Sequence, residues 1–245
     1  MLYLALRQAQ HAVDLITEDD IVDGRLDAYA VVYFAGEWID HRVVPVLEKW
    51  VKDGGVLYAC GGLGHKNEFG EPNPAMMHLL GLESCKTEKN AYLMRTLLEL
   101  PLAPAIDTIA LGTNAISAVA MKQTLEIADA EVLGTWSNGV PAVTLRTKGK
   151  GRAYAVDTMP GTSYMKTALR QVPYARGGRK NLYNPTDFGA AATRLVRLGL
   201  EAADVKRDVV CSHPHVEAIV IDNAGAGTLV TLVNWDNAPI EDLEV

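Results

Sequence analysis

Two short runs, residues 30–35 (Ala-Val-Val-Tyr-Phe-Ala) and 55–60 (Gly-Val-Leu-Tyr-Ala-Cys), are apolar along nearly their whole length and rich in β-branched and aromatic residues. A strand exposed on one side alternates apolar and polar residues; a strand covered on both faces by helices does not, so these runs read as interior strands of a parallel sheet. Between them Val43, Val44, Leu47, Trp50 and Val51 recur at three- and four-residue steps, which places them on one face of a helix over residues 41–53. Gly54-Gly55 ends that helix, because glycine takes up a left-handed C-cap at little cost. Pro45 fits only near the first turn, where its missing N–H breaks no bond. Strand–helix–strand units are right-handed crossovers by strong precedent. The spacing predicts a layered α/β fold.

Residues 12–16 read as a further strand, and residues 2–10 as a helix leading into it. A doubly wound sheet normally begins with a strand, so this opening points to a chain that begins inside a domain. From about residue 115 the pattern becomes a β-meander. Residues 131–136 and 140–145 flank Asn138-Gly139, a pair suited to a type I′ hairpin turn. Residues 148–151 (Lys-Gly-Lys-Gly) turn into a third strand over 152–156. A helix follows, with Asp187 placed to cap it and Phe188, Ala191, Ala192, Leu195 and Leu198 on its apolar face. Gly177-Gly178 and residues 181–185 mark a loop. Residues 214–222 and 227–235 form a last hairpin around Asn223-Ala-Gly-Ala. Two short strands bury no core of their own, so this tail either starts a β-domain or pairs onto the body. The expected division is an α/β domain over residues 1–205 and a β-sandwich-like segment over 206–245.

Charge and composition narrow the function. The 245 residues carry 23 Lys and Arg against 30 Asp and Glu, a formal charge of −7, and no basic stripe suited to a phosphate backbone. Nucleic acid is therefore not an expected partner. No apolar run approaches the roughly 20 residues of a membrane span, and no secretory h-region opens the chain. A soluble protein is expected, cytoplasmic or exported as part of a longer chain. Cys60, Cys85 and Cys211 lie far apart, which gives neither a CxxC metal spacing nor a paired disulfide framework.

Ligands of open parallel sheets bind outside the carboxyl ends of the strands, which directs attention to residues 60–71. Cys60 at a strand end, followed by Gly61 and Gly62, has the outline of a nucleophile elbow. Class I glutamine amidotransferases place Gly-x-Cys-x-Gly there, but the first glycine position is Tyr58 in this chain. A thiol nucleophile needs a base, and His215-Val216-Glu217 has the His-x-Glu spacing of those enzymes. It lies, however, in an alternating run beyond the last helix. The plainer reading makes Cys60 a buried strand-end thiol and His215 a surface residue. Gly62 and Gly64 begin a GxGxxG that Asn67 breaks, so no dinucleotide site is expected. Gly61, Gly62, His65 and Glu68 remain as residues of a ligand-proximal loop. His65, Glu68 and Glu71 read as solvated loop residues before they read as metal ligands. No cofactor and no resident metal are expected. Trp38, Trp136 and Trp235 are candidates for stacking on a pyranose, though tryptophans near strand ends more often fill the core.

Several phrases taken together resemble one family. Residues 8–18 (Gln-Ala-Gln-His-Ala-Val-Asp-Leu-Ile-Thr-Glu), Leu26-Asp-Ala-Tyr29, residues 47–55 (Leu-Glu-Lys-Trp-Val-Lys-Asp-Gly-Gly), Asn67-Glu-Phe-Gly70 and Leu79-Leu-Gly81 resemble the trimerisation domain of family 42 β-galactosidases. Asn138-Gly-Val-Pro-Ala142, Gly149-Lys-Gly-Arg152 and Pro160-Gly161 resemble its closing meander. Val216-Glu217 through Val233-Asn234-Trp235 resembles the first strands of the β-sandwich that follows. The resemblance covers most of the chain outside residues 85–115. It implies a glutamine amidotransferase-like, flavodoxin-like parallel sheet flanked by helices. It further implies a non-catalytic module that associates with itself, as a trimer, and meets a galactoside or other glycan through its parent protein. A catalytic carboxylate pair would then lie elsewhere. The competing expectations are an amidotransferase-like hydrolase using Cys60 and a sugar-binding module.

Overall fold

The computed structural model describes residues 1–90, 95–170 and 184–245. In chain order the elements are α1 (Leu2–Gln8), α2 (Glu18–Val22), a 3₁₀ turn (Arg25–Ala28), β1 (Val31–Ala35), α3 (Val43–Asp53), β2 (Val56–Cys60), α4 (Pro74–Leu80) and β3 (Leu82–Asn90). They continue with α5 (Thr96–Glu99), β4 (Asp107–Leu111), β5 (Asn114–Ala118), β6 (Met121–Ile127), β7 (Glu131–Trp136), β8 (Pro141–Lys148) and β9 (Gly151–Val156). The last are α6 (Pro160–Lys166), α7 (Ala190–Ala202), β10 (Val216–Asn223) and β11 (Gly227–Asn234).

Seven strands form one sheet in the order β1-β2-β9-β8-β7-β4-β5. β1, β2 and β9 are parallel, with Val31 opposite Val56 and Val56 opposite Arg152. The other four strands are antiparallel to their neighbours. The expectation of a parallel sheet with a closing meander is corrected in one respect: the sheet is mixed, with β8, β7, β4 and β5 continuing it as antiparallel strands. Short connections are the reason, since a two-residue hairpin joins only antiparallel strands. Gly149, at φ +60, opens the tight turn between β8 and β9, whose ends pair Lys148 with Gly151.

Every residue of β2 is buried. Val56, Tyr58 and Cys60 face one core, with Tyr154 and Val156 of β9 and Leu195 and Val196 of α7. Leu57 and Ala59 face the other, with Val43, Leu47 and Val51 of α3 and Met76 and Leu80 of α4. The unbroken apolar pattern of β2 thus reflects helices on both sides. Two phenols bond across this packing: Tyr58 donates to the Leu195 carbonyl at 3.1 Å and Tyr33 to that of Val196 at 2.7 Å.

Three local expectations change. Residues 12–16 form no strand; β1 is the edge of the sheet, and this segment runs past it unpaired, with Asp14 accepting the Tyr29 hydroxyl at 3.0 Å. The turn at Asn138-Gly139 is not type I′, because Gly139 alone has positive φ, at +83. Trp136 O accepts the Gly139 N–H at 2.9 Å, and the Asn138 side chain accepts the Val140 N–H at 3.2 Å. That geometry is a type I turn with a left-handed glycine after it. Helix α7 begins at an N-cap of Gly189 rather than Asp187, with no side-chain cap; the Asp187 carbonyl instead accepts the Thr167 hydroxyl at 2.6 Å. Gly177, Gly178 and residues 181–183 of the expected loop lie outside the described residues.

Two smaller pairs complete the fold. β3 and β6 make an antiparallel ribbon. β10 and β11 make a separate hairpin, docked on α1 where Arg7 donates to Glu217 at 2.9 and 2.5 Å. No helix among the described residues is long and apolar enough to cross a membrane.

Candidate functional site at the carboxyl edge of the parallel strands

The carboxyl ends of β1, β2 and β9 lead into the segments that start at Gly36, Gly61 and Asp157. These are stitched together by backbone bonds, Gly36 N–H to Cys60 O at 3.1 Å and Gly61 N–H to Thr158 O at 3.0 Å. Four successive residues after β2 have left-handed φ: Gly61 (+61°), Gly62 (+123°), Leu63 (+61°) and Gly64 (+61°). Close approach explains the glycines as much as conformation does. A Cβ on Gly62 would lie 2.7 Å from the backbone of Glu37, and one on Gly64 would lie 2.9 Å from Ile39. The glycine-rich loop therefore accommodates residues 37–39. Leu63 takes the same strained conformation with its side chain fully buried, and that burial offsets a backbone cost of about 1–2 kcal/mol.

Cys60 is part of the core, 2% exposed, and burial pushes its thiol up to about 12. Among the described residues no histidine hydrogen-bonds it. His65 Nδ1 donates to Gly62 O at 2.7 Å, so this imidazole ties down the loop. His215 and Glu217 belong to the C-terminal hairpin. His215 Nδ1 lies 3.0 Å from Asp236 Oδ2. Glu217 accepts from Arg7 and, at 2.9 Å, from the Trp235 indole. The His-x-Glu pair thus builds the base of the hairpin, and the structure does not bring it to Cys60.

Beneath the same edge lies a feature that sequence reading missed. Asp157, directly after β9, is fully buried. Its Oδ2 accepts the Trp136 indole N–H at 2.8 Å. Burial is the main cause that pushes its carboxyl up to about 8; the Trp136 bond, a Gln123 backbone N–H and the Lys122 charge only partly oppose it. The ribbon of β3 and β6 closes this edge: Met121 and Gln123 are fully buried, and Met121 O accepts the Thr158 hydroxyl at 2.9 Å. Gln123 reaches Cys85 Sγ and Thr87 Oγ1, each at 3.4 Å. Among the described residues, Met121, Gln123, Asp157 and Thr158 are packed together without exposure where α/β sheets commonly admit small molecules. The available signal was Asp157 itself, a carboxylate at the end of an apolar strand.

What remains open is the outer rim. Trp38 is 52% exposed, with Lys66 Nζ 5.3 Å over its ring and bonded to Glu37 at 3.2 Å. Glu68 accepts the His41 backbone N–H at 3.0 Å and pairs with His41 Nδ1 at 2.5 Å. Trp235 is also half-exposed, whereas Trp136 is core. A groove of about 620 Å³ lies at the opposite, amino-terminal edge, lined by Trp50, Gly55, Lys150 and Arg152 among others. Arg152 there is held by the Ala202 carbonyl at 2.6 Å.

Helices on both faces of a mixed sheet, with a C-terminal hairpin docked on α1, define an α/β fold for this chain. Its fold is that of part of the GH42 β-galactosidases. A catalytic mutant of Gan42B, a GH42 β-galactosidase from G. stearothermophilus, superposes with a TM-score of 0.69 at 15% identity, over 96% of this chain and 30% of that one. The β-galactosidase from Rahnella sp. R3 gives 0.67 at 18%, over 96% and 31%. That of the haloarchaeon Halorubrum lacusprofundi gives 0.60 at 17%, over 89% and 28%. The chain thus spans about 30% of the length of these enzymes. No protein-family profile matches it, and no curated protein matches it in sequence.

Proposed function

We propose that this chain is a non-catalytic assembly domain of a β-galactosidase-related protein, of the trimerisation type, with a flavodoxin-like, glutamine amidotransferase-like ancestry. Residues 1–205 would be the α/β domain and residues 206–245 the opening strands of a β-sandwich. The observation that carries this reading is the closed carboxyl edge. The sheet keeps the layout of a ligand-binding α/β fold, yet the ribbon packs on Asp157 and Thr158 at its carboxyl edge, and among the described residues no histidine bonds the buried Cys60. Apolar surface supports self-association: Ile219, Ile221, Leu229 and Leu232 on the hairpin are each at least 40% exposed. Closed rotational symmetry is the usual way to bury such surface. A galactoside or other glycan would be met through the parent protein. Light scattering combined with a nitrophenyl-galactoside assay tests the proposal. A trimer without hydrolysis is expected. A monomer at high micromolar concentration removes the assembly role, and turnover by this chain removes the non-catalytic one.

A second reading rests on the exposed Trp38. An exposed indole with the Lys66 ammonium over its ring has an apolar face for a pyranose and a polar neighbour for its hydroxyls. Galactose should then shift the tryptophan emission of the protein, and Trp38→Ala should abolish the shift. An unchanged spectrum excludes this contact.

A further inference from the structure

The linker into β10 and the exit of β11 bring three ligating side chains together, although only one of them lies in a recognisable motif. His213 and His215 flank Pro214, and Asp236 follows β11 by two residues. The hairpin register sets Val216 against Asn234, and Trp235 N–H donates to His215 O at 3.0 Å, so Asp236 arrives beside both imidazoles. Asp236 Oδ2 is 3.0 Å from His215 Nδ1 and 3.8 Å from His213 Nε2. One ligand atom from each residue lies within 4.8 Å of the others.

We propose that His213, His215 and Asp236 form a binding site for a divalent metal ion of the zinc class at the base of the C-terminal hairpin. Two imidazole nitrogens and one carboxylate oxygen are the donor set such ions take. Ligand atoms about 2.0–2.1 Å from a tetrahedral zinc stand roughly 3.3–3.5 Å apart, between the two separations seen here. The rings are held in place before any metal arrives. His215 packs edge-on against Phe188 at 5.9 Å, and Phe188 stacks on Tyr164 of α6 at 4.6 Å. His213 meets His215 edge-on at 5.2 Å. Two contacts oppose loading: His215 Nδ1 shares a proton with Asp236 Oδ2, which the metal would displace, and the His215 backbone N–H points at His213 Nδ1 over 3.3 Å, which favours the tautomer with its proton on Nε2. The second bond is long, and a metal at Nε2 would shift the proton to Nδ1 and break it. Water would complete the shell on the open side. An ion here would tie the linker, the hairpin and, through Phe188, the body of the domain together.

A second cluster, Asp40, His41 and Glu68, serves as the internal control, because its histidine and Glu68 are exposed, whereas all three residues of the proposed site are partly buried. The test uses the full chain, stripped with a chelator and titrated with Zn²⁺ by calorimetry, with Co²⁺ as the optical probe. The expected result is one bound ion, an intense visible Co²⁺ spectrum of a four-coordinate site, and a thermal midpoint that rises with Zn²⁺. His213→Ala, at a side chain one-third exposed and so safe for folding, and Asp236→Asn should each weaken binding by at least about tenfold. His41→Ala should leave it unchanged. No uptake by the wild-type protein, uptake that survives both substitutions, or uptake that His41→Ala removes would each overturn the assignment.

Discussion

Replacing Asp157 by asparagine isolates the cost of burying an acid under the ribbon. The carboxyl group titrates near 3.8 when solvated and at about 8 in the folded protein, with burial the chief cause. Its folded pKa is raised, so between these values the native state holds a proton that the unfolded chain has lost. The stability it contributes is complete below about pH 4, declines as pH rises, and is gone above about pH 8. A gap of roughly four units at 1.36 kcal/mol each gives a decline on the order of 5 kcal/mol, with a steepest slope of about 1.4 kcal/mol per pH unit. Asparagine keeps a carbonyl oxygen for the Trp136 indole and does not titrate. Its own fixed offset cancels when differences are taken across pH. Urea unfolding of both proteins at pH 5, 6, 7 and 8 supplies those differences. The asparagine variant should gain on the wild type by about 1 kcal/mol or more for each unit of pH in the middle of this range. Parallel stability curves would show that Asp157 is ionised in the native state, and the account of the closed edge would fail with it.

Other expectations follow from the same geometry. In native protein at pH 7.5, Cys60 should resist iodoacetamide and become reactive only on unfolding, as mass spectrometry of the alkylated peptide can show; rapid native labelling would reveal an accessible thiolate. Gly62→Ala should cost on the order of 2–4 kcal/mol, because its Cβ would strike the Glu37 backbone. Gly227→Ala, at φ +103 and in open space, should cost only about 1 kcal/mol; equal losses in chemical denaturation would contradict the close-approach explanation. Arg7→Ala should free the hairpin from α1. Losing charged hydrogen bonds worth about 2 kcal/mol would speed amide exchange in β10 by roughly thirtyfold, while exchange in β2 stays unchanged.

The parts of the fold legible in the sequence are those where one periodicity has one cause. β1, α3 and β2 follow from two unbroken apolar runs around an amphipathic segment, and the hairpin of β10 and β11 follows from alternation around a turn. Residues 12–16 mislead because Val13 and Ile16 pack against the body without a strand partner; burial alone makes an apolar pattern, and pairing leaves no mark in composition. The β3–β6 ribbon was not legible, since its partners are 42 residues apart at Ser84 and Glu126 and its strands are largely polar. Cys60 and its glycines were visible at the strand end, but what fills the space above them was not. His215 drew notice through Glu217, yet its nearer neighbour is Asp236, a residue that only hairpin register brings there.

The ribbon lodged over the strand ends also bears on how such a chain can change. A domain that must admit a substrate keeps a cleft whose shape every nearby residue has to respect. Here Met121 and Gln123 of the chain itself are buried at that edge, so the residues around them have to respect the packing of the ribbon. Opening that edge would take removal of a whole strand pair and would bare a buried acid. No single substitution removes that strand pair.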